Sequence, residues 1–326
     1  MNAKPTRSTS PAARSSVPAG VVSGMGAGAL WGLVFLAPVL TPDFSPWQLS
    51  AGRYLCYGLM ASALLASRRR VLLKRTSPSQ WGLLAWLGLT GNTLYYVLLA
   101  AAVQKAGVAT VSLVIGFLPV LVSLAGQRDP GAASLRRLLP SLLLCVAGAI
   151  CIGWQALQPQ LQPQQRLQHL FGLACAVAAL MSWTVYAVSN ARALARLQDM
   201  TAHDWNLLTG VATGVQGLLL AVPALLLDQH AHAGHDWLRL GGVALVVAIL
   251  ASIMGNSLWN RMSRLLPLTL VGQMILFETL FAMAYGLLWA RRWPHPLETL
   301  ALALVIASVL ASVSAHRTPI TAQAAG

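Results

Sequence analysis

The chain has 326 residues, of which 56% are hydrophobic and only 9% charged, with a formal net charge of +14. Soluble globules are about a quarter charged, and no segment between the apolar stretches is long enough to bury a core of its own. The composition therefore excludes a soluble enzyme or binding domain and leaves a body whose surface faces lipid, in which positive charge reads first as topology and not as a nucleic-acid surface.

In chain order, residues 1–20 are rich in Ser, Pro and Ala with cations at Lys4, Arg7 and Arg14, and read as a disordered arm. Apolar spans then begin near Val21, Trp47, Trp81, Val108 and Leu135. A Gln-rich connector fills residues 155–169, further spans begin near Leu170, Trp205, Leu238, Leu266 and Leu297, and residues 316–326 form a tail. Each span approaches the roughly 20 residues a helix needs to cross ~30 Å of hydrocarbon. Backbone groups find no water there, so all must be helices. The first run follows cations as a signal peptide does, but its length and the runs after it make it an uncleaved first helix.

The expected fold is an all-α polytopic membrane protein of ten transmembrane helices, arranged as two five-helix repeats over residues 21–154 and 170–315. Five is odd, so the second repeat enters the membrane inverted relative to the first. Internal similarity agrees: Ala29-Leu30-Trp31 matches Met181-Ser182-Trp183 (183 − 31 = 152), and Phe117-Leu118-Pro119-Val120 matches Phe277-Glu278-Thr279-Leu280 (279 − 119 = 160). A rival register pairs Gly91-Asn92 with Gly255-Asn256 (255 − 91 = 164). The 160 register is preferred because it also aligns the turns at Gly107 and Pro267.

Alternating the gaps puts 16 cations on the side of the termini and 5 on the other, with Arg53 inside a span. That bias predicts cytoplasmic termini in a cell membrane of the bacterial inner-membrane kind, with the excess charge attracting anionic lipid. Cys56, Cys145, Cys151 and Cys175 all fall inside spans without C-x-x-C spacing and read as packing thiols.

Of 8 acidic residues only Glu278 lies deep in a span. An ionisable group there is a functional candidate, because a charge at the bilayer centre costs roughly 2.5–3.5 kcal/mol even on lenient scales. Arg53 enters its span from the opposite face to a similar depth, and two readings stand for it: an ion pair with Glu278 exchanged for substrate or proton, or a side chain snorkelling to headgroups. Glu278 is a proton-coupling candidate or a hydrogen-bonded carboxyl that fixes packing. Trp31, Asn92, Tyr95, Tyr96, Trp183, Tyr186, Asn256, Trp259 and Gln273, with Arg53, form the candidate substrate-binding set, and Tyr54, Asn190 and Asn260 lie in the same spans. A mostly apolar cavity with a few amide and phenol groups suits a small amphipathic solute. Trp31 and Trp183 are too deep for an interfacial belt, whereas Trp47, Trp81, Trp205, Trp237 and Trp293 read as belt residues. Gly24, Gly28 and Gly32 share one helix face and read as close helix packing. The His-rich run Asp228 to Asp236 reads as a solvated outer turn, with no metal expected.

These segments together resemble the drug/metabolite transporter superfamily, specifically its EamA-like ten-helix members. The resemblance is carried by GALWGLVF (28–35), PWQLSAGRYL (46–55), YYVLLAAAVQKAGVATVSLVIGFLPVL (95–121), LACAVAALMSWTVYAVSNAR (173–192) and GNSLWNRMSRLLPLTLVGQMILFETLF (255–281). It implies a central cavity lined by the first four helices of each repeat, with the fifth and tenth at the periphery. The chain departs from the family's Gly-Glu pairs, having Gly126-Gln127-Arg128 and Ala290-Arg291-Arg292, and has Thr279 where the family has proline.

Transport is the leading function: export of small metabolites, amino acids or related amphipathic solutes, by alternating access. No G-x-x-x-x-G-K-[ST] motif is present, so the energy is expected from a gradient. Uptake by the same fold is the alternative, and a third reading, an intramembrane enzyme on lipid-linked substrate, lacks the paired acids, metal set or histidine-nucleophile arrangement it needs. No cofactor is expected. The expected partners are a small-molecule substrate and membrane lipid, with a second copy of the chain as a further candidate and no nucleic acid.

Overall fold

The computed structural model describes residues 11–125, 134–156, 162–196, 200–226, 228, 232–265 and 268–316. Span 1 is the helix Pro11–Gly32, continued by a 3-10 turn (Leu33–Phe35) and a short helix (Ala37–Leu40). Span 2 is Pro46–Leu65. Span 3 joins Pro78–Gly88, a π-helical segment Leu89–Thr93 and Leu94–Ala106, and span 4 joins Val108–Ile115 to Leu118–Ala125. Spans 5, 6 and 7 are Leu135–Ala156, Pro163–Arg196 and Ala202–Leu226. Span 8 joins Gly234–Val247, a π-helical segment Ala248–Gly255 and Asn256–Leu265. Spans 9 and 10 are Leu268–Trp289 and Pro296–His316.

The first helix thus begins at Pro11, inside the segment read as an arm. Among the described residues seven spans are long and apolar enough to cross a membrane on composition alone, and spans 9 and 10 contribute shorter apolar stretches, Met274–Trp289 and Pro296–Ser312. Span 2 completes the ten with 20 residues, among them the buried polar Gln48, Ser50 and Arg53.

The helix starts carry the duplication. Ser45 Oγ accepts from Gln48 N while Gln48 Oε1 accepts from Ser45 N, at 3.2 and 2.8 Å, and Ser77 with Gln80 repeats the arrangement at span 3. At span 7, Thr201 Oγ1 accepts from Asp204 N and donates to Asp204 Oδ2. At span 8, Asp236 Oδ2 accepts from Ala233 N. Each such cap satisfies orphan donors of the first turn and is worth about 1 kcal/mol. Their spacing repeats: 201 − 45 = 156 and 233 − 77 = 156.

Packing follows the same exchange. Span 2 packs on span 7 and span 5 on span 10; span 1 packs on spans 8 and 9, and span 6 on spans 3 and 4. Replacing every span n by n + 5 returns the same set of contacts, as an inverted repeat requires. Along spans 2 and 7 the correspondence extends to single residues. Gly58 and Gly214 meet backbone to backbone, Ala61 packs on Gly210, and Tyr54 packs on Gly217. Adding 156 to 54 and 61 gives 210 and 217, so the last two contacts exchange.

The two π-helical segments fall in corresponding places, since 89 + 160 = 249 and 93 + 160 = 253 lie within Ala248–Gly255. Each receives a side chain from the first span of the opposite repeat: Ser182 Oγ donates to Thr90 O at 2.7 Å, and Trp31 Nε1 donates to Ala251 O at 3.0 Å. Displaced hydrogen bonding in such segments makes carbonyls available to outside donors. Gly91 leaves room for the Tyr186 ring and Gly255 for the Trp31 indole, so the 164 register also has a structural counterpart. Of the turns invoked for the 160 register, Gly107 is a tight turn with φ +82°, a conformation that favours glycine, and Pro267 lies outside the described residues.

Candidate functional site: an arginine and a carboxyl between the repeats

Span 2 carries Arg53 about 10 Å from its start, since 53 − 46 = 7 residues at ~1.5 Å each. Its residue is 8% exposed. The guanidinium carbon stands 4.5 Å from the ring centre of Tyr96 and 5.2 Å from that of Tyr54, and those two rings meet edge-on at 6.0 Å. Nε and Nη1 have no hydrogen-bond partner, and among the described residues no carboxylate forms a salt bridge with Arg53. The snorkelling expectation is thereby corrected: a side chain held between two buried tyrosines does not reach headgroup water. The direct ion pair with Glu278 is likewise not formed.

Glu278 sits ~16 Å from the end of span 9 at Trp289 (289 − 278 = 11 residues) and is half-buried. Its position is set by the glycine face of span 1. A Cβ on Gly28 would lie 2.8 Å from Glu278 N, one on Gly24 would strike Met274, and one on Gly32 would lie 2.9 Å from Ala282 N. Small residues there let the two backbones approach closely, as the sequence led one to expect. Tyr285 Oη closes the same seam by donating to Ala29 O at 3.2 Å.

The other candidates divide. Tyr95 and Tyr96 are buried beside Arg53. Trp31 lies against Trp259 at 5.0 Å, and Trp183 meets Tyr186 edge-on at 5.4 Å, so the first indole packs on span 8 of the opposite repeat and the second on its own helix, span 6. The amides are committed to packing: Asn92 Nδ2 donates to Thr213 Oγ1 and Asn256 Nδ2 to Asn206 Oδ1, both at 3.2 Å. Asn190 accepts from Trp205 Nε1 at 3.1 Å. The side chains of Gln273 and Asn260 lie outside the described residues.

Trp31, Tyr186, Asn206, Asn256, Trp259 and Glu278 are partly accessible, whereas Arg53, Tyr54, Tyr95, Tyr96, Phe44 and Gln48 are buried.

Beyond Arg53 the face opposite the termini carries contacts that sequence reasoning missed. Phe44 stacks on His232 at 4.2 Å, Trp237 meets both rings edge-on, and His232 Nε2 contacts Asp228 Oδ2 at 3.0 Å. Gln48 Nε2 donates to the same Asp228 oxygen at 2.7 Å, and Arg239 pairs with Asp43. This corrects the expectation of a solvated turn over the whole run, because the His232 side chain is 3% exposed. Trp205 is a second correction. At 2% exposure it is a buried anchor, fixed by Asn190 between spans 6 and 7, and not an interfacial belt residue.

A duplicated, inverted helical body with a buried guanidinium in one half and a half-buried carboxyl in the other defines a polytopic membrane protein of the solute-moving kind. The chain belongs to the EamA-like transporter family, whose sequence profile matches residues 18–154 and 170–314. The inner membrane protein YtfF of Escherichia coli (strain K12) is 32% identical over 308 residues, covering 91% of this chain and 95% of that one. A protein of known crystal structure with 22% identity superposes with a TM-score of 0.60 over 90% of this chain and 96% of its own, and so shares the fold. The protein is thus a multi-pass membrane transporter of a small-molecule substrate, in a family of transporters and not of enzymes.

Proposed function

We propose that the protein is a secondary exporter of small metabolites, with residues 21–154 and 170–315 as its moving halves and both termini in the cytoplasm. The observation that carries this reading is the pair of ionisable side chains within spans 2 and 9, Arg53 buried and Glu278 half-buried, neither of which forms a salt bridge among the described residues. Groups that cost so much to place in a membrane are kept where something must bind there. The interlocked contacts of Phe44, His232, Trp237, Gln48 and Asp228 form the barrier on the face opposite the termini in this scheme. Release then needs the Phe44–His232–Trp237 cluster to part as one repeat rocks against the other.

Glu278 is the proton-coupling group in this scheme: it alternates between carboxylate and carboxylic acid as access changes sides. The test is flux of radiolabelled amino acids in proteoliposomes with an imposed pH gradient. Gradient-driven accumulation that disappears on adding a protonophore supports the reading. Flux indifferent to the gradient removes proton coupling, and no protein-dependent flux of any amino acid overturns the substrate class.

A further inference from the structure

The seam between spans 1 and 9 has its counterpart between spans 6 and 4, and the two are not packed alike. In the first, Gly24, Gly28 and Gly32 bring span 1 directly against Met274, Phe277 and Phe281. The offset of 152 between spans 1 and 6 puts Ala176, Leu180 and Thr184 in the places of those glycines (176 − 152 = 24, 180 − 152 = 28, 184 − 152 = 32). The offset of 160 between spans 4 and 9 puts Val114, Phe117 and Leu121 opposite them (274 − 160 = 114, 277 − 160 = 117, 281 − 160 = 121). With Leu180 where the other half has Gly28, the two backbones cannot approach as closely. A cavity of about 210 Å³ lies along this second seam, and Val114, Phe117 and Leu121 all line it.

Span 5 supplies the third wall through Cys145, Ala149, Ile152 and Gly153. The floor is buried, with Val114, Phe117, Ile152 and Leu180 at most 6% exposed. The mouth is formed by Ala149 and Val177, both exposed, and the flanking Val146, Ile150 and Phe171 are more than half exposed. These apolar flanks belong to a membrane-facing surface, so the mouth opens onto hydrocarbon. A Cβ on Gly153 would meet nothing within 4 Å, so the space continues past it. Apart from the Cys145 thiol the lining side chains are wholly apolar, and the cavity is smaller than the roughly 300–1,000 Å³ of a solute pocket. Apolar cavities stay dry, and an empty one forfeits the dispersion contacts of its walls. A hydrocarbon chain entering from the bilayer restores them.

The rim toward the face opposite the termini carries positive charge. Arg166 stands one heptad before the lining Leu173 (173 − 166 = 7), on the same face of span 6 and ~10 Å nearer that surface. Lys105, exposed at the end of span 3, is placed beside Leu173 by the neighbouring Gly172, whose Cβ would lie 2.9 Å from that of Lys105. Among the described residues no acid forms a salt bridge with Lys105, whereas Arg239 and Arg292 on the same face are taken up by Asp43 and Glu298. We propose that the crevice between spans 4, 5 and 6 binds one acyl chain of an anionic phospholipid from the leaflet opposite the termini, with the phosphate held at Lys105 and Arg166. The chain fills, in one half of the molecule, the contact between repeats that glycines close in the other.

The test places the unmodified full-length protein in phosphatidylcholine nanodiscs doped with phosphatidylglycerol that carries a photoreactive diazirine midway along one chain. Crosslinked peptides are then mapped by mass spectrometry. Labelling is expected to concentrate on residues 145–153 and 173–180. It should exceed that from diazirine-bearing phosphatidylcholine at the same dose by about fivefold, the preference a single well-placed cation gives. The glycine seam of residues 24–32 and 274–281 should stay unlabelled. K105Q combined with R166Q is expected to bring phosphatidylglycerol down to the phosphatidylcholine level, and A149F, which fills the mouth, to remove the label at Cys145. Equal labelling by the two lipids in the unmodified protein overturns the assignment of the headgroup, as does a double variant that keeps the preference. Label as strong on the exposed Leu218 and Leu219 of span 7 as in the crevice overturns the site, and that comparison needs no variant to fold. Absence of crevice labelling, together with disulfide crosslinking between copies carrying Ala149→Cys, would identify a second copy as the occupant and overturn the lipid.

Discussion

The two repeats agree in scaffold and differ in chemistry. Their helix starts recur at a single spacing, Ser45 with Thr201 and Ser77 with Ala233, and the principal contacts between the repeats survive the exchange of spans. Span 2 and span 7 even exchange individual contacts about the Gly58–Gly214 crossing. Yet the ionisable groups do not recur: Thr209 stands opposite Arg53, Leu118 opposite Glu278, and Pro119 opposite Thr279. Symmetry supplies two related halves, and asymmetry places one cation in the first and one deep acid in the second.

The largest effects are expected where that shared scaffold is broken. Leucine at Gly58 or Gly214 drives a side chain into the facing backbone and should cost about 1–3 kcal/mol or more, read as loss of monodisperse protein on size exclusion. Valine at Gly28 should act through the Glu278 backbone and lower the melting temperature by a similar free energy.

Chemistry should break next, with the fold intact. Moving the charge to the other repeat, as R53T combined with T209R, is expected to leave flux abolished, because no acid stands at Leu118 in the first repeat. Restored flux in the double variant would show that the two halves are interchangeable. A smaller effect is expected at the outer cluster: Phe44→Ala removes the ring that stacks on His232 and should raise leak of substrate through proteoliposomes several-fold while binding is kept. Least of all is expected from Arg68→Ala. Its pair with Asp204 spans 3.0 Å, but Arg68 is 62% exposed, so screening leaves it about 0.2–1 kcal/mol in a chemical melt.

Much of the body was legible in the sequence because hydrocarbon imposes a length and a composition on anything that crosses it. The ten spans, Arg53 and Glu278 followed from that constraint, and Gly24, Gly28 and Gly32 announced their seam by their spacing. The S-x-x-Q and T-x-x-D starts were also present, and their common spacing of 156 would have fixed the repeat register better than the matched tripeptides. What escaped depends on partners far away in the chain. Gln48 meets Asp228, and Asn92 meets Thr213, only once spans 2, 3 and 7 are assembled. Trp205 reads as interfacial from its place at a helix start and is buried because span 6 offers Asn190. The amides assigned to a cavity are likewise taken up by helix–helix hydrogen bonds, since unpaired amides in a bundle core are costly and neighbouring helices satisfy them first.

The central claim is that one acid in one repeat links proton to solute, and the most direct measurement compares E278Q with the unmodified protein in two assays on the same proteoliposomes. Solute exchange at equal pH reports binding and rocking; accumulation driven by a pH gradient reports coupling. The account predicts that E278Q keeps the first within a few-fold and loses the second. Gradient-driven accumulation undiminished in E278Q would contradict it.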